Sequence, residues 1–312
     1  MVQFLTKRFG QSLLLILIVT IITFFLMNLA PGGPSSMMRM DASEEERAAL
    51  AEQYGLNDPV IVRYGNWLKD AVQGDLGFSL SSGESVTQRI LERMPFTLQL
   101  TIWTIIVSVI IGIIFGIISA KNQNTWKDHT INFGSVIGLS VPSFWLAIML
   151  ILLFSVQLKW LPSSGAGGDS IIDQLKSSIL PVAILSMATL PTIVRFTRSS
   201  ILDVIHQNYI RTSRAKGLKE RTVIYSHALK NALIPVISVI GVLIPRLLGG
   251  AVIVESVFGW PGIGRLIVEA AQSRDYNLVM GVTVVVTILV VACNFIVDII
   301  YSKVDPRVKN IG

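Results

Sequence analysis

Charge is what this sequence has least of. Of its 312 residues 15% are Asp, Glu, Lys or Arg, against 52% hydrophobic, a balance outside the range of an ordinary soluble domain. The single cysteine, Cys293, lies inside an apolar run, which excludes a disulfide framework and any CxxC metal site. The three histidines, His129, His206 and His227, stand outside metal spacing of another ligand, and neither HExxH nor GxSxG occurs. No Gly-Lys dipeptide occurs either, so the chain cannot form a GxxxxGK[ST] phosphate loop and does not bind ATP in that manner. Asp128-His129 is a weak acid–base pair beside an apolar segment. No catalytic residue, metal or cofactor is assigned to this chain.

What is abundant is apolar length. A helix needs about 20 mostly apolar residues to span a bilayer, because unsatisfied backbone in hydrocarbon is too costly. Six runs qualify: Phe9 to Leu29, Leu98 to Ala120, Ile131 to Val156, Ile179 to Phe196, Leu233 to Val254 and Leu278 to Tyr301. The fourth is short and contains Pro181 and Pro191, which predicts a kinked or tilted segment. The first, with Lys7 and Arg8 before it, exceeds a signal peptide's apolar region, and Asn28-Leu29-Ala30-Pro31 lacks a small-x-small cleavage pattern.

The formal net charge of +6 follows from cation retention on the inner side of a membrane, with no nucleic-acid partner expected. With the N-terminus inside, Lys7, Arg8, Lys121, Lys127, Arg195, Arg198, the cations from Arg211 to Lys230, and Lys303, Arg307 and Lys309 all fall on the cytoplasmic side. The expected fold is an all-α integral membrane protein of six transmembrane helices with both termini cytoplasmic. It divides into an N-terminal transmembrane helix (1–30), an extracytoplasmic helical segment (31–95), a membrane core (96–302) with a basic cytoplasmic loop at 205–232, and a cytoplasmic tail (303–312).

The external segment reads as short amphipathic helices. Ser43 with Glu46 and Ser85 with Gln88 are capping-box signals, and Asp58-Pro59 is an N-cap with proline at the first helical position. Their apolar faces are too narrow for an independent core, so they lie on the membrane domain or on a partner.

Polar residues within spans are expensive and point to function. Arg246, after Pro245, lies about 20 Å into the fifth span at 1.5 Å per residue; it is either a cation lining or gating a path, or a structural partner of an external carboxylate such as Glu255 or of backbone carbonyls. Gly112 with Gly116 and Gly134 with Gly138 form GxxxG pairs suited to close helix packing. From Glu255 to Asn277 an apolar, Gly/Pro-broken stretch holds Phe258, Trp260 and Ile263, a pattern suited to a re-entrant turn and short helix forming an external gate, or to an interfacial helix anchored by Trp260.

The densest cationic helix, RTSRAKGLKERTVIYSHALKNALIP from Arg211 to Pro235, sits between two apolar segments. Gly217 suits a left-handed C-cap, so the stretch predicts a bent helix pair with Ala215, Gly217 and Leu218 at its elbow. Small residues there admit another protein's groove, and the flanking Arg211, Arg214 and Lys216 steer an acidic partner or hold anionic membrane lipid. A solvated basic loop remains the alternative.

This stretch resembles the EAA loop of ABC-importer permeases. Against the general form only Gly217 and Leu229 match, with Arg211-Thr212-Ser213 in place of EAA and His227 to Lys230 in place of I-x-L-P. The peptide-importer variant, a YIRTARAKGL-like run followed by HALRNALLP, is matched closely by Tyr209 to Leu218 and His227 to Pro235. LAPGGP at Leu29 to Pro34, VFGWPGIGRL at Val257 to Leu266 and VDPRV at Val304 to Val308 agree, and Gly33 stands where the family often has an acid. Over essentially the whole chain the sequence resembles the B-type permease subunit of dipeptide, oligopeptide and nickel ABC importers.

The resemblance implies a type I importer permease that pairs with a homologous C-type permease, is driven by two cytoplasmic ATPase subunits holding ATP and magnesium, and receives solute from an extracytoplasmic binding protein. It places Arg211, Thr212, Arg214, Ala215, Lys216, Gly217, Leu218, His227 and Leu229 in the coupling contact with an ATPase. The transported solute would be a peptide, with nickel chelates or another small polar solute as the alternative. An exporter would dispense with the binding protein, and an ion-driven carrier would need intramembrane acids, which are nearly absent.

Overall fold

The computed structural model describes residues 2–29, 58–79, 81–168, 170–219 and 222–304. The capping signal at Ser43 and Glu46, most of the LAPGGP motif and the end of the VDPRV motif lie outside them. Five described helices are long and apolar enough to cross a membrane, six when one bent pair counts as a single span.

The chain forms two compact units. The first comprises Met1–Thr97 and Trp260–Ala292, so the residues after the Phe258 turn join the N-terminal segment, across the linear boundaries the sequence suggests. Helix α1 (Val2–Leu29) carries α2 (Val60–Val72), where Tyr64 stacks edge-on against Phe24 at 5.3 Å and shares a 2.9 Å hydrogen bond with Thr20. Arg63 donates to Asn28 Oδ1 at 3.0 Å. Helix α2 therefore lies on α1, a helix long and apolar enough to cross a membrane. It starts at Val60, one residue later than expected, with Pro59 as its cap.

Helix α3 (Val86–Lys121) begins in this unit, twelve residues before its apolar run, and passes through Pro95. Ser85 caps it by a long contact from the Gln88 N–H, 3.5 Å, while the Gln88 side chain bonds Glu92. The unit's core joins Val86 and Ile90 to Ile263, Leu266 and Ala270 of α9 (Ile263–Gln272) and to Leu278 and Val282. The last two lie on α10 (Tyr276–Val304). Asp275, buried, caps α10 through the Leu278 N–H and accepts hydrogen bonds from the Ser79 and Ser81 hydroxyls.

The second unit comprises Leu98–Gly259 and Cys293–Gly312. Its third apolar run is not one helix. Helix α4 (Trp126–Ser140) and α5 (Ser143–Leu150), the latter continued by a π-helical turn over Ile151–Gln157, meet at a 97° bend. Pro142 supplies no backbone N–H and holds Val141 extended, at φ −91 and ψ 130, so the helix stops there.

The fourth run also differs from expectation. Helix α6 (Ile171–Ile205) is 35 residues long and continues through both prolines. Its apolar window is 67% buried in the chain. A helix covered by protein need not be apolar on every face, which is why hydropathy underestimates its length.

The GxxxG of α3 sits directly on α6. A Cβ at Gly112 would stand 2.6 Å from Ile193 Cγ2, and one at Gly116 would stand 2.5 Å from Thr197 Cβ. Gly134, by contrast, has open space around its Cα hydrogen. Gly116→Val should therefore destabilise the protein by about 1–3 kcal/mol through overpacking, while Gly134→Ala leaves it near wild type. Thermal melting of the purified protein in detergent checks both, and equal melting of the two variants would remove the packing role.

Candidate functional site

The basic elbow lies wholly in the second unit. After α6 ends at Ile205, α7 (Asn208–Ala215) presents Arg211, Thr212, Arg214 and Ala215 to solvent and buries Ile210. Amphipathic spacing does this, since Ile210 is the residue that meets Val223 and Ala228, with Val204 beside them. The Tyr209 hydroxyl accepts a 2.8 Å hydrogen bond from Asn231.

The elbow is a Schellman turn. The Gly217 N–H donates to the Arg214 carbonyl at 2.9 Å and the Leu218 N–H to the Ser213 carbonyl at 3.4 Å, pairing carbonyls a helix end otherwise leaves open. Gly217 has φ +75, a conformation that costs an L-residue strain. A Cβ there would meet nothing within 4 Å. Lys216, Gly217 and Leu218 are exposed, so the turn is an apolar-and-cationic knob with free approach.

Beyond it the chain re-enters as a π-helical turn over Val223–Ala228 and continues as α8 (Leu229–Val257). His227 and Leu229 are half-buried here. A second cluster, Ile117, Ala120, Ile201, Ile224 and Ala232, ties the elbow's base to the ends of α3 and α6. The structure thus brings seven of the nine coupling candidates to one exposed surface and seats the other two in its foundation.

The four path candidates are distributed differently. Arg246 is exposed on α8, in a stripe with Val242, Gly249 and Ile253. Glu255 lies nine positions on, half a helical turn round, and is fully buried, so the two do not share a face. Phe258 is buried and its carbonyl accepts the Gly165 N–H at 2.8 Å. Trp260 is completely buried; its indole N–H donates to the Phe96 carbonyl at 3.1 Å and its ring meets Phe96 edge-on. Ile263 is buried, with its N–H on Thr97 Oγ1 at 2.8 Å. An interfacial anchor keeps its ring at the surface, which the Trp260 ring is not.

Sequence reasoning missed one site. Asp128, read there only as half of a weak acid–base pair, is buried and gripped by Arg198, while its neighbour His129 is exposed. The pair therefore does no acid–base work together. Asp128 and Arg198 stand 70 positions apart, and no local pattern joins them.

Helices of spanning length and an exposed knob between two of them are features of a multi-pass membrane subunit. The family comparisons agree: the chain matches the model of the binding-protein-dependent transport system inner membrane component over residues 112–310 and that family's N-terminal model over residues 1–101. The chain belongs to this family of inner-membrane permeases. Among its relatives, the oligopeptide transport system permease protein AppB of Bacillus subtilis is 43% identical over 99% of this chain and 100% of its own length. The dipeptide transport system permease protein DppB of Alkalihalophilus pseudofirmus is 40% identical, over 93% and 94%. The fold is similar to that of the MetNI methionine ABC transporter in an inward-facing conformation, with a TM-score of 0.59 at 20% identity over 70% of this chain and 97% of that one.

Proposed function

We propose that this permease carries peptides through the membrane as one half of an ATP-driven importer, working by alternating access. It pairs with a C-type permease, takes its solute from an extracytoplasmic binding protein, and is moved by two ATPase subunits that hold ATP and magnesium. The observation that carries the reading is the Schellman elbow: an exposed, unobstructed knob at Gly217 whose base is packed into α6 and α8. A projection that a partner grips, rooted in two long helices, transmits force without forming any bond. The relatives' peptide and dipeptide names favour peptides over nickel chelates, and a binding-protein-dependent family disfavours export.

Arg246, on its exposed stripe, lines the path. Phe258, Trp260 and Ile263, buried around the turn after α8, hold its external end shut. The experiment reconstitutes the co-expressed complex in proteoliposomes and follows uptake of a defined mixture of di- to pentapeptides by mass spectrometry. ATP-dependent uptake requiring the binding protein is expected; uptake driven by an ion gradient without nucleotide overturns the reading.

The cation asymmetry favours an orientation with both chain ends and the elbow in the cytoplasm. Ser82 and Lys219 are both exposed. With Cys293 replaced, Ser82→Cys should react with an impermeant thiol reagent in intact cells and Lys219→Cys only after permeabilisation. The reverse pattern inverts the topology.

A further inference from the structure

The half-buried Asp128–Arg198 pair, with Asp128 covered and Arg198 partly exposed, has more contacts than helix packing requires. Arg198 Nε donates to Asp128 Oδ1 at 2.8 Å and Nη2 to Oδ2 at 2.7 Å. Oδ1 also accepts from the Ser119 hydroxyl and from Asn132 Nδ2 at 2.7 Å, and Oδ2 accepts the Asn124 N–H at 3.0 Å. One carboxylate thus binds the end of α3, the loop after it, the first turns of α4 and the body of α6.

The surrounding helices do not need it merely to stay together. Gly112 and Gly116 already bring α3 onto α6, and a part-buried ion pair adds little net stability because solvent screening and partial desolvation offset its attraction. What a bidentate fork adds is direction, since it fixes distance and orientation at once. Helices in apolar contact alone slide past one another in shear; helices held by a saturated fork do not.

Its position decides what that rigidity serves. Arg198 lies one turn before Ile201, which packs with Ile117, Ala120, Ile224 and Ala232, and α6 runs on to Val204, which packs beside Ile210 under the elbow. We infer that the Asp128–Arg198 clip is a positioning device for coupling: it locks the ends of α3, α4 and α6 into one body, so that force received at the Gly217 knob moves all three together. This rests on the elbow being the ATPase contact.

The test measures peptide taken up per ATP hydrolysed in the reconstituted complete transporter, with the di- to pentapeptide mixture as probe. Arg198→Lys keeps the charge and loses the fork; the double variant Asp128→Asn/Arg198→Gln removes both charges, so no unpaired charge is left buried. Both should assemble with partner subunits and keep ATP hydrolysis stimulated by the binding protein, while uptake per ATP falls about tenfold, within the roughly 5–150-fold span usual for coupling between sites. An unchanged ratio in both variants overturns the inference, including the case where yield, hydrolysis and uptake fall in parallel, which is the signature of a purely structural pair. Gly217→Trp is run alongside. If it is uncoupled while the clip variants keep their ratio, only the clip fails; if it transports normally, the elbow reading fails and takes the clip with it.

Discussion

A Gly217→Trp permease is expected to reach the membrane, pair with its permease partner and transport nothing. Two separable costs combine at this position. The first belongs to the chain: Gly217 has φ +75, and a residue with a Cβ pays about 1 kcal/mol or more to hold that conformation. The second belongs to the complex, because a Cβ at Gly217 meets nothing within 4 Å inside the chain. An indole there obstructs only whatever approaches from outside. Gly217→Ala isolates the first cost and should retain partial uptake. The readouts are ATPase stoichiometry in the purified complex and uptake per ATP hydrolysed. Full stoichiometry with normal uptake in Gly217→Trp would return the basic helix to the status of a solvated loop.

Trp260→Ala should have the next largest effect, through packing. The side chain is completely buried and its N–H is used by the Phe96 carbonyl, so truncation removes a large apolar volume and leaves that carbonyl without its donor. Aromatic-to-alanine changes at such sites cost about 3–5 kcal/mol, enough to lower the yield of assembled complex. Trp260→Phe keeps most of the ring, loses the hydrogen bond and should cost about 1–2 kcal/mol. If the turn also closes the external end of the path, the complex that does assemble will hydrolyse ATP at a raised basal rate and leak peptide. Raised basal hydrolysis per assembled complex supports closure; a lowered yield with unchanged basal hydrolysis reduces Trp260 to a strut.

Much of this protein is written locally. Apolar length predicts the spans because a helix in hydrocarbon must satisfy its own backbone. The left-handed turn at Gly217 was legible because it depends on one residue type at the end of one helix, and φ +75 follows. The short helix after Trp260, α9, was legible from Gly and Pro breaking an apolar run.

The misread spans show where local reasoning stops. Pro142 lies inside a run that hydropathy joins, and the backbone rule for the residue before proline outweighs apolarity there. Conversely hydropathy suggests a short fourth span, yet α6 runs 35 residues through Pro181 and Pro191 because neighbouring helices cover it.

The sequence by itself determined that the chain carries membrane-spanning helices and a basic elbow, since span length and turn chemistry are properties of neighbouring residues. Only the tertiary structure decided that Trp260 is buried against Phe96, that Gly116 and not Gly134 is a packing glycine, and that Asp128 belongs to Arg198. Each of these depends on which surfaces meet across tens of positions of chain. Burial and pairing are relations between distant segments, and no pattern within one segment encodes the partner.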